Sequence, residues 1–271
     1  TTIAFSHDMK VEGKEISAGT YGLHMIPGAE NWIIIFNKNS GAWGSYFYDE
    51  EDDALRVEVR PVRNAYTEWL TYDFMAKKPT YTIASLKWEE LSVPFKIEAD
   101  VISIYLTKIR EELQNSPGFT WQNWVAAVNF CLQHNTNLDE AQLWADYAIE
   151  APFVGERNFE TVSTKGILYL KMDRTEEADA LIKEAVDEPT SNMVKIHNLG
   201  RSLIGMGYAK NAMELFELNQ KKYPEDKFTT MVGLARGYEA LGKKKQAVKH
   251  YEIAAANAPE GQREYYLGLA A

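Results

Sequence analysis

The chain has 271 residues, 45% of them hydrophobic and 25% charged, which is the composition of an ordinary globular protein with room for about two domains. Its formal net charge of −10 argues against a nucleic-acid partner, because nucleic-acid binding needs clustered Lys and Arg. The longest tight apolar run, 32–36, is far shorter than the roughly 20 residues of a membrane span. The single cysteine, Cys131, excludes an internal disulfide.

Residues 1–97 alternate between apolar and polar side chains, which predicts half-buried β-strands. The run at 32–36 is apolar on both faces, so we expect it in the middle of a sheet, joined to a strand at 21–26 by a hairpin loop. Pro94 cannot donate to a strand ladder, so its strand should be an edge or carry a bulge. Short strands at this spacing favour an antiparallel β-sandwich or barrel. Other strands are expected at 1–5, 55–59, 84–88 and 91–97.

A change to helical period begins at Asp100, which is a suitable N-cap for a helix that ends before residues 116–118. We therefore divide the chain into a β domain over 1–97, a connecting helix within 98–117 and a helical domain over 118–271. The predicted fold is α+β and multidomain, with an all-α solenoid following the sandwich-like domain.

Paired helices are predicted throughout the third segment, at 121–132 with 139–149, 159–172 with 176–186, and in two later pairs. Positions 199 to 224 recur at 234 to 259, a shift of 35 residues, with glycine ending the first helix of each later pair and proline stopping the second. This pattern resembles the tetratricopeptide repeat, whose period is about 34 residues. One divergent pair and three repeats predict a right-handed solenoid with a capping helix at 262–271.

Four strings in the β domain suggest a second resemblance: Ala18-Gly-Thr-Tyr-Gly-Leu-His-Met-Ile-Pro27, Trp43-Gly-Ser-Tyr-Phe-Tyr-Asp49, Glu68-Trp-Leu-Thr-Tyr72 and Val93-Pro-Phe-Lys-Ile97. Together they resemble the bacterial domain of unknown function 2911, some members of which continue into tetratricopeptide repeats. The resemblance implies a periplasmic, envelope-associated or secreted protein of a Gram-negative bacterium, and implies no activity. Members begin with a secretion signal and a further strand region, so we expect this chain to lack its N-terminal portion.

No motif predicts catalysis, a metal or a cofactor. The chain has neither a Gly-x-Ser-x-Gly elbow nor a phosphate-binding loop, and its histidines lack zinc-site spacing. The acidic run 49–53 lacks a calcium-loop pattern and is expected to be a solvated hairpin tip. His24 is expected to be a core histidine bonded to the backbone, and Cys131 a packing residue. His7 with Asp8 is not expected to be catalytic, because neighbouring residues of a strand point to opposite faces. We therefore lean against an enzyme.

An aromatic cluster in the β domain has two interpretations. Its rings, Trp43, Tyr46, Tyr48 and Trp69, would stack on a glycan or another small ligand if they were exposed. Burial in the core is the interpretation that we favour.

A row of polar residues on the first helices of two repeats is the predicted peptide site. Arg201 and Arg236 are equivalent under the 35-residue shift, with His197 one turn before Arg201 and Glu239 one turn after Arg236. First helices should line the concave face, where two guanidinium groups would bind carboxylates or carbonyls of an extended peptide. The slightly favoured alternative is that Arg236 pairs with Glu239 and Arg201 with a neighbouring acid.

These observations predict a non-enzymatic scaffold that binds a protein or peptide. The alternatives are glycan or small-ligand binding by the β domain, and a hydrolase with its site at the domain interface.

Overall fold

The structure is a computed structural model that describes residues 1–270. The chain forms two compact units, and the boundary between them falls between Lys108 and Ile109. The first unit carries the antiparallel strands and the second is helical, which confirms the predicted fold class.

The first unit contains two four-stranded antiparallel sheets. Their strands are β1 Thr2–Phe5, β2 Met9–Val11, β3 Lys14–Ile16, β4 Gly19–Ile26, β5 Trp32–Asn37, β6 Asp53–Val59, β7 Val62–Lys77 and β8 Tyr81–Glu98. One sheet has the order β1-β4-β5-β6 and the other β3-β2-β8-β7. The Phe36 ring of the first sheet meets the Phe95 ring of the second edge to face, with centroids 6.1 Å apart, so the two sheets share one core.

The apolar strand β5 lies between β4 and β6, and the hairpin loop before it is present, so both predictions are confirmed. The two strands predicted at 84–88 and 91–97 form one strand, β8. Although β8 is an inner strand, its pairing with β7 reaches only to Ser92, and its pairing with β2 begins at Ile97. Pro94 therefore lies opposite neither neighbour, and its missing N–H costs no ladder hydrogen bond.

The long hairpin of β7 and β8 is the main feature of this unit that the sequence analysis did not predict. β7 has 16 residues and is the edge strand of its sheet, and its pairing with β8 shifts register three times. Most of its side chains are exposed, and they include several large apolar ones, Val62, Tyr66, Trp69, Leu70, Tyr72, Phe74 and Met75.

Within residues 1–270, ten α-helices follow β8, and their pairs stack in a solenoid-like arrangement. Asp100 caps the first helix by accepting from the backbone N–H of Ser103 at 3.1 Å, as predicted. The helices are α1 Val101–Leu113, α2 Trp121–His134, α3 Leu138–Glu150, α4 Phe159–Lys171, α5 Thr175–Asp187, α6 Met193–Gly205, α7 Ala209–Lys222, α8 Thr229–Ala240, α9 Lys244–Ala256 and α10 Arg263–Ala270. α10 confirms the expected final helix, apart from residue 271, which lies outside the described residues.

Close approach between paired helices depends on small residues. The second helices of the four pairs each carry a buried alanine: Ala141, Ala178, Ala212 and Ala247. Gly200 of α6 lies against the ring of Phe216 of α7, which is fully buried. Gly242, just beyond α8, has a φ of +73°, the left-handed conformation predicted for the residue that ends this helix.

Candidate functional site

The predicted peptide site lies where α6 packs on α8 and α7. His197 of α6 is only 8% exposed, and its ring packs against Phe216 with 5.7 Å between centroids. Its Nδ1 atom is buried and has no hydrogen-bond partner in the described chain. A buried polar atom without a partner is costly, so this nitrogen is an unsatisfied polar group of the helix interface.

The charges of two arginines act on His197. The pKa of the imidazole is lowered to about 4, mainly by burial and in addition by the neighbouring cations of Arg201 and Arg236. Asp226 and a hydrogen bond between the imidazole and the backbone of Thr229 act in the opposite direction and raise this pKa. The imidazole is therefore neutral at physiological pH, and the structure brings His197, Arg201 and Arg236 into one electrostatic environment.

The predicted ion pair between Arg236 and Glu239 is wrong. Glu239 instead accepts a hydrogen bond of 2.8 Å from the hydroxyl of Tyr251 on α9. The Nε atom of Arg236 is buried and unpartnered, and neither Arg236 nor the exposed Arg201 forms an ion pair with any residue of 1–270. The Glu239 carboxylate therefore bonds to the second helix of its repeat, α9, and not to Arg236 on its own helix.

The aromatic cluster is not in the core, so the favoured interpretation of it is wrong. Trp43, Tyr46 and Trp69 are 85%, 82% and 83% exposed, because the first two lie in the loop between β5 and β6 and the third on edge strand β7. Tyr48 is half-buried, and its hydroxyl donates to Asp53 at 2.6 Å. The loop also exposes Phe47, whose ring packs on Tyr46 with centroids 5.3 Å apart.

His24 of β4 is half-buried and bonds to a side chain, so the prediction of a core histidine bonded to the backbone is wrong. Its Nδ1 lies 2.8 Å from the Oγ of exposed Ser45, and its ring contacts Tyr48 with 5.4 Å between centroids. Both His24 and Ser45 line a cavity of about 360 Å³. The sequence analysis missed Ser45, because 21 positions separate it from His24 and no local motif joins them.

The remaining candidates have structural roles. Asp8 accepts from the backbone N–H of Ala18 at 2.8 Å, and His7 contacts Ser6, so His7 and Asp8 do not form a catalytic pair. Cys131 is fully buried, as predicted. In the acidic run, residues 49–52 are exposed as predicted, whereas Asp53 is partly buried and accepts hydrogen bonds from Tyr48 and Asn37.

The described residues contain no group of three or more His, Cys, Asp or Glu side chains arranged to hold a metal ion. None of the helices in 1–270 is both long enough and apolar enough to cross a membrane.

Residues 1–97 match the family model described as "Protein of unknown function (DUF2911)". The β unit is a DUF2911 domain. This match covers the strands of both sheets up to Ile97, including His24, Ser45 and the exposed rings. No curated protein matches the chain.

Helical-repeat proteins are among the similar solved structures. The pilus biogenesis factor PilW is 18% identical, with a TM-score of 0.40 over 59% of this chain and 72% of that one. A tetratricopeptide repeat protein from Parabacteroides merdae is 12% identical, with a TM-score of 0.38 over 62% and 67%. YrrB, described as a repeat protein with an unusual peptide-binding site, is 15% identical, with a TM-score of 0.35 over 62% and 83%.

The tetratricopeptide repeats that follow the DUF2911 domain are established by this chain's own helices. α6 with α7 and α8 with α9 carry the 35-residue pattern, and the glycines after α6 and α8 both have positive φ. The architecture that the sequence resemblance predicted, a DUF2911 domain followed by these repeats, is therefore confirmed.

Proposed function

We propose that this protein is a binding scaffold whose repeats hold a protein or peptide partner at His197, Arg201 and Arg236. The ligand group at this site is a carboxylate of the partner, an acidic side chain or a chain terminus, next to a backbone amide. The observation that carries the proposal is that Arg201 and Arg236, on the adjacent first helices α6 and α8, form no ion pair within residues 1–270.

Charge and hydrogen-bonding capacity support a carboxylate. Arg201 and Arg236 supply two guanidinium groups that no acidic side chain of the described chain neutralises through an ion pair. A guanidinium binds a carboxylate through two parallel hydrogen bonds, and such charge-assisted bonds are stronger than neutral ones. The neutral imidazole adds one donor or acceptor for the neighbouring peptide group without opposing the two cations.

Binding of random-sequence peptides tests this proposal. Peptides selected on the purified protein from a display library should be enriched in Asp and Glu, and their affinity should fall as salt is added. Replacing Arg201 and Arg236 with alanine should weaken the selected peptides at least about tenfold, because each lost charged hydrogen bond costs about 1.5–3 kcal/mol.

Lys210 and Lys245 provide the matched control. They are exposed, lie on the second helices α7 and α9, and are related by the same 35-residue shift. Replacing both with alanine removes the same charge and should leave peptide affinity unchanged. Equal affinity of the arginine double variant and the wild type would refute the proposed site.

The proposed location is the cell envelope of a Gram-negative bacterium, which rests on the family resemblance of the β domain. Fractionation of the native cells, with detection of the endogenous protein, tests it. Recovery in the cytoplasmic fraction alone would contradict this location.

Glycan binding by the DUF2911 domain is a second candidate function, favoured by the exposure of Trp43, Tyr46 and Trp69. Exposed aromatic rings provide apolar faces on which sugar rings stack. Titration against a panel of envelope glycans should then show binding that is lost when Trp43 is replaced by alanine. No binding to any glycan of the panel would remove this candidate.

A further inference from the structure

We propose that Ser45 and His24 form a nucleophilic site in the DUF2911 domain that cleaves carboxylic esters. This activity is separate from peptide binding by the repeats. The site is assembled from two elements of the first unit: His24 comes from β4, and Ser45 from the loop between β5 and β6.

The hydrogen bond between the two side chains is the central observation. Ser45 Oγ lies 2.8 Å from His24 Nδ1, within the reach that a general base needs to take the hydroxyl proton. Ser45 is exposed, so an external substrate can reach its oxygen, and His24 is half-buried, so its ring is supported. Tyr48 contacts one side of this ring and is itself fixed by its bond to Asp53.

The cavity next to the pair provides space for a small substrate. Its volume is about 360 Å³, and its lining includes Gly22, Ser40 and Gly44 besides the two reactive groups. A Cβ atom at Gly22 would lie 3.2 Å from His24 Nε2 and 3.0 Å from the carbonyl oxygen of Asn39. Glycine at this position therefore keeps the imidazole edge free of a crowding side chain.

The lining of the cavity favours a small substrate. It includes several short or polar residues, Thr1, Thr2, Asn39, Ser40 and Ala42. The exposed rings of Trp43, Tyr46 and Phe47 flank Ser45 in the sequence but are not part of this lining. The substrate class is accordingly a carboxylic ester with small acyl and alcohol groups.

The reaction needs no group other than the ester and water. Ser45 Oγ attacks the carbonyl carbon while its proton moves to His24 Nδ1, in the tautomer whose Nδ1 is unprotonated. The bond from carbon to the leaving oxygen then breaks, and that oxygen takes the proton from His24 and departs as the alcohol. Water next attacks the acyl-serine, giving up one proton through His24 to Ser45 Oγ, and the carboxylic acid is released.

Covalent labelling and ester hydrolysis test the proposal on the full chain. A fluorophosphonate probe should label the protein, with the adduct on Ser45 in the peptide map. The wild type should hydrolyse p-nitrophenyl acetate, and Ser45→Ala should lose the label and lower the rate at least about a hundredfold. His24→Asn should lower the rate by a similar factor, because general-base catalysis contributes about 10²–10⁴-fold.

Ser6→Ala is the matched control, since Ser6 is an exposed serine of the same unit, its Oγ lies 3.0 Å from His7 Nδ1, and it is not part of the cavity lining. It should retain labelling and rate, and circular dichroism should show that all three variants are folded. No adduct, or an adduct on another serine, would overturn the proposal. An unchanged rate in Ser45→Ala with a reduced rate in His24→Asn would also overturn it, since the imidazole would then act without Ser45. Loss of peptide binding has no bearing on these measurements.

Discussion

Gly200→Ala is a stringent test of the packing described for the repeats. A Cβ atom at this position would lie 2.4 Å from Cε1 and 2.6 Å from Cζ of Phe216, more than about 0.9 Å inside an ordinary carbon–carbon contact. The ring has no free space to move into, because a Cβ at Gly233 on the facing helix would lie only 2.6 Å from its Cδ1 atom. Overpacking of this kind costs about 1–3 kcal/mol.

Helix propensity opposes this loss, because alanine is favoured over glycine in a helix by about 1 kcal/mol. Gly200→Ala should therefore lower the stability of the helical unit by up to about 2 kcal/mol. Gly205→Ala in the same helix is the control, since a Cβ there would meet no atom within 4 Å.

Thermal unfolding of the two variants, followed by far-ultraviolet circular dichroism, separates the two effects. Their stabilities should differ by about 1–3 kcal/mol, which corresponds to several degrees in melting temperature for a unit of this size. If Gly200→Ala melts at or above the temperature of Gly205→Ala, the close packing of Gly200 on Phe216 is wrong.

Three further measurements test individual residues. The folded-state pKa of His197 lies below its unfolded value, so the unfolded chain binds the additional proton and stability should fall as pH decreases from about 6.5 to 4. In His197→Gln, the free energy of unfolding from urea denaturation should depend less on pH over this range. An unchanged dependence on pH would contradict the burial of His197. Burial raises the pKa of the Cys131 thiol to about 11, so the native protein should react with a disulfide reagent only after unfolding; rapid reaction would place the thiol at the surface. Tyr48→Phe removes the donor to Asp53 and should cost about 1.5–3 kcal/mol in urea unfolding, whereas an unchanged midpoint would show that the bond contributes nothing.

Periodicity was sufficient to predict most of the fold. Apolar alternation placed the hairpin of β4 and β5, and the 35-residue shift placed α6 to α9, since both patterns are local in sequence. β7 escaped prediction because it is an edge strand with most side chains exposed and with register shifts, so it has no regular alternation between core and solvent.

The candidate sites depended more on long-range contacts than the fold did. The 35-residue shift made Arg201 and Arg236 equivalent, but no local pattern shows that Tyr251 takes the carboxylate of Glu239. The aromatic cluster was wrongly assigned to the core. The sequence shows that the rings are present, but it does not show whether residues of the opposite sheet cover them. The pair of Ser45 and His24 arises only when the loop after β5 folds back over β4.

The irregular pairing of β7 has a consequence for the behaviour of this protein at high concentration. An edge strand offers unpaired backbone groups to strands of other molecules. A regular edge of 16 residues with exposed apolar side chains would favour such intermolecular pairing. Its register shifts, between Arg63 and Thr67, Thr67 and Thr71, and Phe74 and Ala76, divide that edge into short stretches that differ in twist. A foreign strand can then pair with only one short stretch at a time, and the interruptions protect the folded chain from edge-to-edge association.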